Sequence, residues 1–214
     1  MKSMPAALRD YALQIANHEM GHYVVARALG FETGDVTLKV TMGLTHHGGA
    51  SITLSRSISS IEAMKEHLEA RIMVLFAGSM AQSLPAKHSP EKRVDKSKAA
   101  AILKGEFGAE QDYAKIRELR YLLRNISYPD TDPASSDSII AELTEINDRL
   151  WLRAQKIVEA LADTITGLAG VLVERMVIVE QWGRGADTYE VVLTGEVLEG
   201  LVPVRAIPAL SVWA

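Results

Sequence analysis

The five residues His18-Glu19-Met20-Gly21-His22 constrain this chain more than any others. On an α-helix the i and i+4 spacing puts both imidazoles on one face, close enough to share a metal ion. The surrounding residues supply that helix. Leu8, Leu13, Ile15, Met20, Val24 and Ala28 recur at helical spacing over residues 5–29, no proline follows Pro5, and Gly30 offers a stop. Neutral imidazoles bind zinc at about 2.0–2.1 Å and leave a position for water, whose pKa falls toward about 7. Glu19 sits where it can take a proton from that water rather than complete the ligand set. The motif thus points to Zn2+ held by His18 and His22, with Glu19 as the general base of a peptide-bond hydrolysis.

A catalytic zinc ion normally takes three protein ligands. The chain has no cysteine, so the third must come from His, Asp or Glu. Asp112, in Gly108-Ala109-Glu110-Gln111-Asp112, is the candidate, at the start of an expected helix where an acid also suits the helix dipole. A formal charge of -4 gives no electrostatic case for a nucleic-acid partner. The most apolar stretches, 72–81 and 171–179, are too short or interrupted to span a bilayer. Residues 1–13 carry Lys2, Arg9 and Asp10 without a signal-like apolar run, so the expected location is cytoplasmic.

At 214 residues the chain fits one domain, 1–214, mainly α with a small β-sheet (α+β). Val36, Leu38, Val40 and Met42 alternate, as do Ala50, Ile52 and Leu54, which predicts two strands over 35–54 around a turn at His46-His47-Gly48-Gly49. Ser59-Ser60-Ile61-Glu62 matches a capping box before a second helix, whose Ala77, Gly78 and Ala81 would admit a close neighbour. Residues 85–97 read as a solvated loop, and a third helix runs from about Ala109 to before the 128–136 loop. A long helix after Asp137 and Ser138 extends toward Arg175. Strands at 177–179 and 189–193, divided by Gly183 and Gly185, form a late hairpin, with 177–214 as a β-rich C-terminal elaboration.

In this order the segments resemble the peptidase domain of the FtsH-type ATP-dependent zinc proteases. His18-Glu19-Met20-Gly21-His22 resembles that family's H-E-x-G-H helix, and Gly48-Gly49-Ala50-Ser51-Ile52-Thr53 is similar to its active-site strand. Leu75-Phe76-Ala77-Gly78-Ser79-Met80-Ala81 resembles its small-residue helix, and Gly108 to Asp112 its G-A-x-x-D segment. The resemblance implies a zincin helical fold with an active-site edge strand, ligands His18, His22 and Asp112, and Glu19 as base. It further implies that Gly49, Ala50 and Ser51 bind a protein or peptide substrate, and that the chain forms a homo-oligomer.

The sequence departs from that family in having no G-x-x-x-x-G-K-[ST] loop and no room for an ATPase module. Expected substrates are therefore flexible or unfolded segments, unless a separate ATPase or adaptor feeds the site. Gln82 stands where the family usually carries Glu beside a ligand; it can accept a hydrogen bond from an imidazole but adds no charge. His46 and His47 are read as turn residues, His67 and His88 as lacking a spacing that suggests chemistry, and Trp151, Trp182 and Trp213 as packing residues. Two alternatives stay open: a metal-stabilised binding or regulatory protein without catalysis, and a peptidase that cuts a single partner.

Overall fold

A computed structural model describes residues 4–53, 57–85, 92–106, 108–179 and 187–210. Within them the chain is mainly helical, with a four-stranded antiparallel sheet. Leu54, residues 86–91 of the expected loop, His88, Trp182, Gly183, Gly185 and Trp213 lie outside the described residues.

Two helices form the centre, α1 (Ala6–Ala28) and α2 (Ile61–Gln82). Both are buried nearly all round where they meet, as expected of helices with neighbours on every side. Gly21 lets them approach: a Cβ there would lie 2.6 Å from both the Ala77 carbonyl oxygen and Ala81 Cβ. The predicted small-residue contact is thus made against α1. The first helix ends as expected at Gly30, with φ 79°. The Gly30 N–H bonds Arg27 O at 3.0 Å and the Phe31 N–H bonds Ala26 O at 2.9 Å, a Schellman stop that satisfies the last carbonyls.

The sheet runs β2 (His46–Thr53), β1 (Glu32–Thr41), β4 (Thr188–Leu193), β3 (Val177–Val179). Val36, Leu38 and Val40 are fully buried and face Leu193, Val191 and Tyr189 across the ladder. Both expected hairpins form, but they join into one sheet. The first turn is Met42 to Thr45, not His46 to Gly49: Leu44 takes φ 57° and the Thr41 N–H bonds Thr45 O at 3.0 Å. His46, His47, Gly48 and Gly49 are strand residues on the edge strand β2.

Three further expectations are corrected. Ser60, not Ser59, caps α2, its hydroxyl accepting from the Ala63 N–H at 3.1 Å. Residues 96–97, expected in a loop, open the short helix α3 (Lys96–Ala101), capped by Asp95. The long C-terminal helix begins after Ser135 and bends at Leu161 into α5 (Ser136–Ala160) and α6 (Ala162–Glu174). The bend lets α5 pack on α2 while α6 packs on α1. The third helix, α4 (Glu110–Ser127), lies against α2 and α5. Beyond β4 come two short helices, α7 (Gly195–Gly200) and α8 (Val202–Arg205). No helix among the described residues is long and apolar enough to cross a membrane.

One buried carboxylate ties α2 to α5. The Glu69 side chain is 4% exposed, 2.8 Å from Arg149 Nη2 and 3.8 Å from Arg153 Nη1. Replacing Glu69 by Ala takes this anion from both guanidinium groups, with Arg149 keeping Glu145 at 3.2 Å, and a urea melt should show a loss of about 1–3 kcal/mol.

Candidate metal centre

The α1–α2 crossing and the first turn of α4 bring three donor atoms together. His18 Nε2 and His22 Nε2 are 3.0 Å apart, and Asp112 Oδ2 lies 3.1 and 3.0 Å from them. Each ring is fixed from behind: His18 Nδ1 meets Gln82 Oε1 at 2.9 Å, and His22 Nδ1 meets the Val74 carbonyl at 2.7 Å. A carbonyl only accepts, so each Nδ1 carries the proton. In the neutral rings both Nε2 lone pairs then face the carboxylate.

Three acceptors in mutual contact need a positive charge between them. The edge of a tetrahedron around an ion with 2.0–2.1 Å bonds is about 3.3 Å, close to the spacing found. Two imidazoles and a carboxylate suit a borderline ion such as zinc, and the residues therefore fit the expected group. The electrostatics agree. Burial alone would lower the His22 pKa, but the Asp112 charge and hydrogen bond, then Glu19 and the Val74 carbonyl, push it up to about 9. Burial alone would raise Asp112, but His22 and His18 hold it well below the usual carboxylate range. The buried triad favours a cation at its centre, whether proton or metal.

Two glycines make room for the imidazoles and for Glu19. A Cβ on Gly78 of α2 would stand 2.4 Å from His22 Nε2 and 2.7 Å from His18 Nε2. A Cβ on Gly48 of β2 would stand 2.5 Å from Glu19 Oε1. Glu19 is buried, outside the donor triad, with its carboxylate lying against the edge strand.

A cleft of about 430 Å³ opens over the triad. Gly49, Ala50 and Gln82 line it with the triad and Glu19. Ser51 does not: it alternates to the other face of β2, against Gly34. His46 and His47, read as turn residues, line the cleft, and the Tyr11 hydroxyl meets His46 Nδ1 at 2.5 Å. Burial, then the nearby His18 charge, lowers the His46 pKa. Arg71 and Lys115 also line the cleft and went unnoticed in the sequence. Arg71 had a legible signal, since 71, 75 and 82 follow one helical face and all reach the cleft. His67 packs on Phe31, with ring centroids 5.6 Å apart, and Trp151 on Phe76, at 5.1 Å.

Compared with known proteins, the chain matches no family and no curated sequence. Function therefore has to be argued from the site.

Proposed function

We propose that this chain is a zinc metalloendopeptidase with an FtsH-peptidase-like fold, cutting flexible or unfolded protein segments. The observation that carries the reading is the set of three donor atoms 3.0–3.1 Å apart with Glu19 beside them, at the foot of a cleft walled by an edge strand. Zinc there supplies a Lewis acid that polarises a carbonyl and makes water nucleophilic near neutral pH.

The chain's own residues do the rest. Val74 and Gln82 hold the imidazoles in the tautomer that binds metal. Glu19 takes the proton of the attacking water and returns it to the leaving amine, which completes hydrolysis. As an edge strand, β2 leaves backbone hydrogen-bonding groups free beside the cleft, so an extended peptide can pair with it in many sequences. Such pairing excludes folded substrates. Folded substrates would first have to be unfolded.

The direct test is cleavage of an unfolded casein-like chain by the zinc-loaded protein, stopped by a chelator and restored by zinc. Zinc should also raise thermal stability, by about 4 kcal/mol at a thousandfold excess over Kd. Stabilisation by zinc without turnover of any unfolded chain or peptide would replace the peptidase reading with that of a metal-stabilised binding protein.

A further inference from the structure

Arg71 is an unusual wall for a metal cleft. It projects from α2, and its Nη1 is buried with no hydrogen-bond partner among the described residues. A buried guanidinium donor without an acceptor carries the full cost of its lost water. Burial lowers the Arg71 pKa, and the charge that opposes this is Asp112. Asp112 is also a metal ligand in our reading, so a bound ion competes for the same charge. Lys115, one turn after Asp112 on α4, adds a second cation to the lining. Among the described lining residues the carboxylates are Glu19 and Asp112, which Arg71 and Lys115 balance. A divalent ion would then leave the cleft net positive.

We propose that Arg71, assisted by Lys115, forms a carboxylate-binding subsite, so that preferred substrates carry a carboxylate near the bond cut. This rests on the peptidase reading. Arg71 precedes Gly78, which lies beneath the two imidazoles, by seven residues, about 10 Å along α2. An extended peptide covers that in about three residues. Two sources supply the same chemistry: a free C-terminus and an Asp or Glu side chain. A guanidinium fork can bind either through two parallel hydrogen bonds.

The test uses one N-acetylated peptide in three forms: free acid, C-terminal amide, and amide with Glu replacing a neutral residue. The zinc-loaded parent should favour one carboxylate form over the plain amide by about tenfold to hundredfold in kcat/KM, and the form preferred identifies the source. Arg71→Gln should bring that ratio to about one, mainly through KM. Arg71→Lys should keep part of it, because it retains charge without the fork. Lys115→Ala, at an exposed position, should lower the ratio a few-fold and decides the matter if Arg71→Gln fails to fold. Fluorescence anisotropy of labelled acid and amide peptides on zinc-loaded Glu19→Gln protein separates the two ideas. Acid-selective binding, lost with Arg71→Gln, without turnover by the parent would keep the subsite and end the peptidase reading. Turnover of all three forms at equal rates by the parent would overturn the subsite and leave the peptidase reading standing.

Discussion

On the proposed peptidase reading, Glu19→Gln will still bind zinc and keep its fold but lose peptide hydrolysis by about 10²–10⁴-fold, the usual contribution of a positioned general base. Glu19 is outside the donor triad, so a bound ion would keep His18, His22 and Asp112. The amide has the carboxylate's shape, so it fits against Gly48, where the side chain has no spare room. What it lacks is a group that can accept the water's proton. Competition with a chromophoric chelator should give a zinc affinity within a few-fold of the parent, while kcat/KM on an unfolded substrate collapses. Retention of more than about a tenth of the activity would remove Glu19 from the mechanism.

The parts of this site that sequence made legible are those set within one element. The i, i+4 spacing of His18 and His22 fixes their common face, and the apolar run around them fixes the helix. Asp112 was reached through the order of several segments, since nothing in its own neighbourhood separates a ligand from an ordinary acid near a helix start. The needs of other elements stayed hidden. Gly48-Gly49 reads as a turn because glycine is common in turns, whereas Gly48 is small to admit the Glu19 carboxylate from α1. With no apolar side chains, the His46 to Gly49 segment also lacks the alternation that marks a strand. The bend at Leu161 leaves no trace for a related reason. Apolar spacing continues through it from Ile157 to Ile165, and the backbone bonds from Leu161 to Ile157 and from Ile165 to Leu161 remain intact. The inward residues of β1 were legible, but their β4 partners, about 150 positions later, are chosen by the packing of the whole sheet.

Gly78→Ala will act in opposite directions on helix propensity and on the candidate metal site, and the site will win. In an unconstrained helix interior, Gly→Ala stabilises by about 0.5–1 kcal/mol. Gly167 of α6 provides the control: a Cβ there meets nothing within 4 Å, so Gly167→Ala should gain about that amount in a urea melt. At position 78 the same methyl group would press on both imidazoles, 2.4 Å from His22 Nε2 and 2.5 Å from its Cε1. The rings cannot turn away freely, because turning breaks the bonds from Nδ1 to Val74 and Gln82. Each buried group left unpaired costs about 1–3 kcal/mol, which exceeds the propensity gain. The metal-free protein should therefore lose stability, and zinc affinity should fall by about a hundredfold or more, beyond the range seen when supporting hydrogen bonds alone are lost. A Gly78→Ala protein as stable as the Gly167→Ala control, with parental zinc affinity, would mean that the imidazoles do not stand over α2 as described. The geometry of the whole triad would then have to be redrawn, because Asp112 lies 3.0–3.1 Å from those same two rings.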